Sequence, residues 1–373
     1  MAFLDYASGA PLHPAARAVL VAAYDEGWAE PGKLYGAGRR ARLLLDDARA
    51  RIASALGARP GEVSFAASGA DSIRLGLNGL LSARRRVGTH LVTTAVEHSS
   101  LLAVASAHER AGGEVTRVDV SPHGAVAAPD IAAAIRPDTA VVSVQHANHE
   151  VGTVQPIADV AAVCAERGIP LHVDAAQSVG RIPIDVGALG VNALSASARK
   201  WGGPPGAGVL VVRRGTRWRR TDGADEAVNV PAVVAAAAAL DARLTEMDAE
   251  AARLSALVDR IRREVPRLIA DVDVVGDPVG RLPHIVTFSF LYVDGEALLT
   301  ELDKADIAVS SGSACASEEF RPSHVLAAMG VLTHGNVRVS LGRDTTEADI
   351  DDLLAVLPEV VARVRALSEA PTP

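Results

Sequence analysis

Short β-branched runs alternate with helical patterns through the first two thirds of this chain, and this alternation limits the possible folds more than any other feature. The strand candidates lie at 62–66, 90–94, 115–119, 140–145, 170–173, 193–196 and 209–212. The helical patterns between them lie at 72–82, 99–111, 128–135 and 157–167. Such alternation is typical of a largely parallel sheet that helices cover on both faces. The chain is therefore predicted to be an α/β protein with a mainly parallel, seven-stranded sheet.

The last third of the chain follows a different order. A long amphipathic helix is predicted at 249–265, and further elements follow as a strand at 285–290, a helix at 296–304, a strand at 337–340 and a helix from Glu347. At 373 residues the chain is longer than one small core requires. We expect a large domain at 13–245 and a smaller α+β domain that combines 1–12 with 246–373.

Composition and charge argue against several classes of function. The net charge of −8 disfavours a nucleic-acid surface. The longest apolar stretch, 230–240, is well short of the roughly 20 residues that a membrane span needs, so no membrane segment is expected. The two cysteines, Cys164 and Cys315, cannot build a disulfide framework, which fits a reducing cytoplasm. Cys164 lies on a predicted helix, where a buried structural role is favoured.

Lys200 follows a strand of small residues and precedes a loop rich in glycine and proline. A lysine that forms a Schiff base needs such a place, shielded enough to lower its pKa yet open to a ligand. An ordinary surface lysine at a strand end is the alternative interpretation. Asp174 follows another apolar strand, at the edge of a parallel sheet where ligands bind. Taken alone, it could equally be the N-cap of a helix.

Two further segments could contribute to a site. Ser68, Gly69 and Ala70 join a predicted strand to a predicted helix, and free N–H groups at such a junction suit an anion. Any tight strand–helix turn has this appearance. His98 follows a strand and could stack on a flat ring, although a plain loop histidine is the commoner case.

A metal site is not expected. His146 and His149 have helix-like spacing but lie at a strand end, and no cysteine or carboxylate set is arranged with them for coordination.

Taken together, these segments resemble the cysteine desulfurases of the NifS/IscS type, within the class V aminotransferase superfamily. The resemblance runs from Leu4-Asp5-Tyr6-Ala7 to the segment 338–343. Its most specific parts are the segment 310–317 around Cys315, which is similar to the family's longer (group I) mobile loop, and the segment 172–180 around Asp174. The resemblance implies a fold-type I enzyme of the pyridoxal 5'-phosphate (PLP) class, with PLP at the carboxyl edge of the large-domain sheet, and a homodimer.

The resemblance also implies a role for each matching residue. Lys200 would hold PLP covalently and move protons, Asp174 would keep the pyridine nitrogen protonated, and Gln177 would hydrogen-bond the phenolic oxygen. His98 would stack on the ring as part of the catalytic set.

Two more residues would act on the substrate. Arg338 would grip the carboxylate of L-cysteine with its guanidinium fork. Cys315 would attack the substrate sulfur and leave L-alanine and a persulfide. A sulfur-acceptor protein, either a scaffold or a thiolation enzyme, would then receive that sulfur, for example for iron–sulfur cluster assembly.

The chain departs from the family around the cofactor phosphate and the substrate. Arg199 replaces the usual His before the lysine, although Ser197 remains at the other phosphate position. Ala70 replaces the Thr of the phosphate turn, and His149 replaces the second Asn of an Asn-Asn-Glu segment beside cofactor and substrate. Arg199 could compensate with a charge-assisted contact.

Two more departures lie elsewhere. The segment 221–231 looks shortened and lacks the family's Arg and Thr, the latter of which reaches the neighbouring subunit's cofactor phosphate. Gly9 and Ala10 replace a Thr-Thr pair, and Tyr35 lies near the position of a usual His.

Two alternative functions stay open. The chain could be a different PLP-dependent C–S or C–Se lyase of the same superfamily, in which case activity should survive Cys315→Ala. It could also be a catalytically weak homologue that binds a partner protein, in which case the purified protein should lack PLP.

Overall fold

The computed structural model describes residues 1–221, 228–312 and 322–369. The helices are α1 Pro14–Gly27, α2 Gly36–Ala55, α3 Gly69–Arg84, α4 Ser99–Arg110, α5 Ala128–Ala134, α6 Ile157–Glu166, α7 Val230–Leu268, α8 Gly295–Lys304, α9 His324–Met329 and α10 Glu347–Glu369. The strands are β1 Ala2–Phe3, β2 Val63–Ala66, β3 His90–Thr94, β4 Glu114–Val118, β5 Thr139–Gln145, β6 Leu171–Asp174, β7 Ala193–Ser197, β8 Gly208–Val212, β9 Val272–Val275, β10 Ile285–Phe290, β11 Ile307–Ala308 and β12 Asn336–Ser340.

The central sheet has seven strands in the order β2-β8-β7-β6-β5-β3-β4. The neighbours from β7 to β4 pair in parallel, and β8 runs antiparallel to both β7 and β2. Every residue of β5 is buried, as expected for a strand covered on both faces. The prediction of a mainly parallel, seven-stranded α/β sheet is confirmed.

Helix α7 is much longer than the sequence pattern indicated. The prediction at 249–265 covers its second half, whereas the Ala-rich run at 230–240 forms its first half. Alanine is the strongest helix former, but a run of it shows no amphipathic period. Here 235–240 is almost wholly buried, and its small side chains let α1 and α2 pack closely on α7.

A second sheet lies in the last third of the chain, with β9, β10 and β12 in the antiparallel order β12-β10-β9. Its core also takes Ala2 and Leu4 from the N-terminal segment, where β1 pairs with β11. Helix α7 contributes to both cores, through 230–240 in the first and 254–265 in the second. The domain division at residue 245 stays a prediction, and it falls inside this one continuous helix.

The parallel strands bring several polar residues to one edge of the central sheet. Gln145, Asp174 and Ser197 are the last residues of β5, β6 and β7, and all three strands end at the same edge. The described helices include none with both the length and the apolar character that a membrane crossing requires.

Candidate active site

A cavity of about 300 Å³ opens at this edge of the sheet. The predicted site residues that line it are Gly69, Ala70, His98, His149, Asp174, Gln177, Ser197, Arg199 and Lys200. They come from the ends of five strands, β2, β3, β5, β6 and β7, and from the segments that follow them, and the structure brings all of them to one place. Arg338 does not line the cavity, and Cys315 lies outside the described residues.

Asp174 is a buried acid at the end of β6 with a side chain that faces the cavity. Its Oδ1 accepts a hydrogen bond of 2.9 Å from the Ala176 N–H. Burial raises the pKa of this carboxyl to about 6, although the Ala176 N–H and the charge of Lys200 act against the rise. The residues after Asp174 form turns, so the helix N-cap interpretation is wrong. A carboxylate here is available to a cationic ring nitrogen.

Lys200 ends a short 3₁₀ helix, Ala198–Lys200, that directly follows β7. Its Nζ donates hydrogen bonds to two carbonyl oxygens of the N-terminal segment, at 2.6 Å to Ala7 and 3.0 Å to Ser8. Burial lowers its pKa to about 8, helped by the positive charges of Arg338 and Arg199. Lys200 is therefore a partly buried amine with a substantial neutral fraction near neutral pH, and not an exposed strand-end lysine.

The turn before α3 forms one wall of the cavity. Ser68 is the N-cap of α3, and its Oγ accepts from the Asp71 N–H at 3.1 Å. A Cβ at Gly69 would lie 2.6 Å from the Cβ of Ser197, so only glycine allows this approach of α3 to the end of β7. Arg199 is exposed and donates to the Ser8 carbonyl at 3.2 Å. Helix N–H groups, a hydroxyl and a guanidinium together suit a phosphate dianion.

Two imidazoles meet on another wall of the cavity. The rings of His98 and His149 are 4.9 Å apart and inclined at 73°. The Nδ1 of His98 accepts from the Ser100 N–H, so this histidine caps α4 and is not a plain loop residue. Burial, together with His149 and Lys200, lowers the pKa of His98 to about 3, so its ring is neutral at physiological pH.

His149 is only 5% exposed, and neither of its ring nitrogens makes a hydrogen bond with the described residues. The nearest acid is Glu150, with its Oε1 3.5 Å from His149 Nε2. Burial lowers the pKa of His149 against the opposite effect of Glu150. A buried imidazole whose Nδ1 has no partner among the described residues, on the wall of a cavity, is able to bind a polar ligand.

Gln177 and Arg338 are held by the N-terminal segment. Gln177 Nε2 donates to the Ala7 carbonyl at 3.0 Å, which leaves its Oε1 and one amide hydrogen for a ligand. Arg338, on β12, donates through Nη1 to the His149 carbonyl at 2.8 Å and through Nη2 to Asp5 at 2.6 Å and Ser8 at 2.8 Å. A substrate carboxylate would have to share or displace Asp5.

The segment that carries Cys315 is flanked by residues of this site. Ser310 pairs with Arg338 through two main-chain hydrogen bonds, before the undescribed residues 313–321. After them, the Ser323 hydroxyl donates to Glu150 at 2.6 Å. The two flanks therefore contact Arg338 and Glu150, the residues that adjoin His149. The predicted changes at 222–227 also lie outside the described residues.

The remaining sequence predictions concern Cys164 and the histidine pair. Cys164 is buried on α6, and burial raises its pKa to about 12, which fits a structural thiol. His146 Nδ1 lies 3.0 Å from the Ser178 hydroxyl. Across 1–221, 228–312 and 322–369, no three His, Cys, Asp or Glu residues gather in a way that could hold a metal ion.

Three residues that shape the site were not predicted from the sequence. Asp5 holds Arg338, the Ala7 carbonyl holds both Lys200 and Gln177, and Glu150 links His149 to Ser323. The only available signal was that 4–7 and 150 lie in segments that carry the family resemblance, since all of these contacts except that between the adjacent His149 and Glu150 join distant parts of the chain.

Known proteins are similar to this chain over nearly its whole length. The family model for class V aminotransferases matches residues 2–353. A cysteine desulfurase IscS of Dictyoglomus turgidum is 37% identical over 98% of this chain and 96% of its own length. An IscS-like cysteine desulfurase of Mycobacterium tuberculosis is 40% identical over 98% and 97%.

Solved structures agree with the sequence relatives. A NifS-like protein superposes with a TM-score of 0.89 at 28% identity, covering 97% of this chain and 99% of that one. SspA in complex with cysteine superposes with a TM-score of 0.78 at 27% identity, covering 91% and 99%. The fold is thus that of the NifS-like enzymes, and the chain belongs to the class V aminotransferase family.

Proposed function

We propose that this chain is a PLP-dependent cysteine desulfurase that converts L-cysteine to L-alanine and leaves a persulfide on Cys315. The observation that carries the proposal is the convergence of Lys200, Asp174 and His98 on one cavity at the sheet edge. Relatives named as cysteine desulfurases that match nearly the full chain support it. The reaction balances, because the sulfur that leaves the substrate carbon joins the Cys315 thiol, and the carbon gains a proton.

The residues present fit PLP. Class V aminotransferases and cysteine desulfurases depend on it. Lys200 would carry it, Asp174 would face its ring nitrogen and His98 its ring, while Ser197 and Arg199 would bind its phosphate with the first N–H groups of α3. The glycine that brings α3 against Ser197 leaves space where any side chain would intrude. When bound, PLP supplies an electron sink for the bonds at the substrate Cα and Cβ.

The chain's own residues would handle the protons. Lys200, with a pKa of about 8, can accept a proton at the substrate Cα and return it. His98 is neutral because of its depressed pKa, so it would face the cofactor ring as an uncharged aromatic group. Asp174, with a pKa of about 6, is mostly ionised at pH 7 and can stabilise a protonated ring nitrogen. Arg338 and His149 would position the carboxylate.

We further propose a cytoplasmic homodimer that hands its sulfur to an acceptor protein, a scaffold or a thiolation enzyme. The relatives that bear the IscS name support sulfur transfer. An exposed apolar surface supports the dimer. We define the α1–α2 patch by six large apolar side chains that are each more than half exposed: Val21, Tyr24, Trp28, Leu34, Tyr35 and Leu43. Apolar surface of this extent is typical of a protein interface.

The test is an absorbance spectrum of the purified protein, followed by an assay for sulfide and alanine with L-cysteine and a thiol. The proposal expects a PLP band that Lys200→Ala removes, and sulfide release that Cys315→Ala abolishes while the band stays. Cys164→Ala is the matched control, since its buried thiol should not matter. A protein that takes up no PLP would contradict the proposal.

A second candidate is a PLP-dependent C–S or C–Se lyase with another substrate. Two observations favour it. The ring nitrogens of His149 have no hydrogen-bond partner among the described residues, and Arg338 already donates a hydrogen bond to Asp5. Such a lyase would keep its activity in Cys315→Ala, whereas the desulfurase would lose it.

A further inference from the structure

A second, smaller cavity of about 20 Å³ is separate from the candidate active site. It is lined by two buried arginines, Arg181 and Arg243, by the more exposed Arg343 and Asp344, and by aromatic groups that include Tyr6 and Trp201. A cavity of this size holds about one water molecule or one small ion. The space therefore suits a small ion better than an organic ligand.

Arg181 forms no ion pair within 4 Å among the described residues, although the charge of Glu250 acts on it from farther away. It is 4% exposed, its Nη2 donates to the Lys200 carbonyl at 3.2 Å, and its Nη1 makes no hydrogen bond. None of the ion pairs within 1–221, 228–312 and 322–369 includes it, whereas Arg243 has Glu246 at 3.7 Å and Glu250 at 3.9 Å. A buried guanidinium without a close counter-ion is unfavourable, so an anion beside its free Nη1 would stabilise it.

The nearby acids are already engaged. Glu250 pairs with Arg253 at 2.8 Å, and Glu246 lies 3.4 Å from His13 and 3.9 Å from Arg343. Asp344 pairs with Arg343 at 3.5 Å. The four arginines of this cluster are Arg181, Arg243, Arg253 and Arg343, and its three acids are Glu246, Glu250 and Asp344. The cluster therefore has one more positive than negative charge, and Arg181 is its only arginine without an ion pair among the described residues.

Other unsatisfied groups point the same way. Arg243 is 4% exposed and its Nε also lacks a partner. His284, just before β10, is 1% exposed, and its Nδ1 has no hydrogen-bond partner among the described residues. Its pKa lies well below the usual value because of burial and the charges of Arg181 and Arg243. A histidine that stays neutral adds no charge but can donate a hydrogen bond.

We propose that this cavity binds one small monovalent anion, chloride in ordinary solutions, between the guanidinium groups of Arg181 and Arg243. Its size excludes phosphate esters and amino-acid carboxylates. Because Arg181 also holds the Lys200 carbonyl, a bound anion stabilises the main chain that positions the lysine. The inference does not depend on the cofactor or on the reaction.

The test uses the purified full-length protein in bromide. Crystals grown in bromide should show an anomalous peak in this cavity. The thermal midpoint should rise with halide and saturate when chloride replaces gluconate at constant ionic strength. Arg181→Gln should abolish that dependence, and the matched control Arg86→Gln, which removes an exposed charge, should retain it.

The outcomes are distinct even if Arg181→Gln folds poorly, because the bromide experiment uses the unaltered protein. A cavity that holds only water, or a carboxylate of a second copy, would overturn the proposal. Equal midpoints in chloride and gluconate would overturn it as well.

Discussion

At the residue scale, the environment of Lys200 predicts how the rate of PLP uptake depends on pH. Burial together with Arg338 and Arg199 lowers its pKa from 10.5 to about 8. At pH 7 about 10% of such an amine is neutral, against about 0.03% for an ordinary lysine. The rate at which the apoprotein takes up PLP, followed by its absorbance, should therefore rise nearly tenfold per pH unit and level off above pH ~8.

Arg199→Gln tests the cause of this shift. It removes one positive neighbour, so the pKa of Lys200 should rise and the plateau should move to higher pH. Arg86→Gln, which changes an exposed arginine on a distant loop, should leave the profile unchanged. A plateau that begins only near pH 10 in the unaltered protein would contradict the proposed environment.

Gly69 gives a steric prediction at the same scale. A Cβ there would lie 2.6 Å from the Ser197 Cβ, so Gly69→Ala must push α3 away from the end of β7. The N–H groups of α3 would then move away from the phosphate position. We expect PLP affinity, measured by equilibrium titration, to fall by about tenfold or more, which corresponds to about 1.4 kcal/mol.

The control for this change is Gly61→Ala. A Cβ at Gly61 meets nothing within 4 Å, so PLP affinity should not change. Equal affinities of the Gly69 and Gly61 variants would show that the approach of α3 to β7 does not shape the phosphate site.

At the scale of the element, the first half of α7 depends on small side chains. Ala237 is fully buried in the core where α1 and α2 pack on α7. Ala237→Leu inserts three carbons into a packed interface and should lower the free energy of unfolding by about 1–3 kcal/mol, as measured with urea.

Ala249→Leu is the matched change on the same helix, at an exposed position. It should alter the free energy of unfolding by less than about 0.5 kcal/mol. If both leucine variants unfold alike, close helix packing is not the reason for the alanine run.

At the scale of the whole molecule, the α1–α2 patch predicts a dimer. Trp28 is 69% exposed at the end of α1, and Trp28→Glu would place a charge in an apolar interface. We expect sedimentation equilibrium to show a dimer for the unaltered protein and a shift toward monomer for this variant, with Kd raised at least about tenfold.

Val279→Glu serves as the control, because Val279 is 87% exposed and lies outside the patch. A monomeric unaltered protein, or equal effects of the two variants, would contradict the proposed interface.

Much of the architecture follows from local patterns. The seven strands of the central sheet were each predicted to within one residue or so of their ends. Short β-branched runs and the helical patterns between them are visible in the local sequence. Helices α1 and α2 were not predicted, and α7 was predicted at half its length, because alanine-rich and mixed sequences carry weaker periodicity.

The sequence by itself determined the α/β class and the candidates Lys200, Asp174, His98 and the Gly69 turn, since parallel strands deliver their carboxyl ends to one edge. Only the tertiary structure decided their surroundings. Three hydrogen bonds show this: Lys200 to the Ala7 carbonyl, Arg338 to Asp5, and Arg181 to the Lys200 carbonyl. Each of them joins residues from separate segments of the chain. Sequence periodicity reports on neighbours along the chain, whereas burial and counter-charges depend on which distant segments pack together.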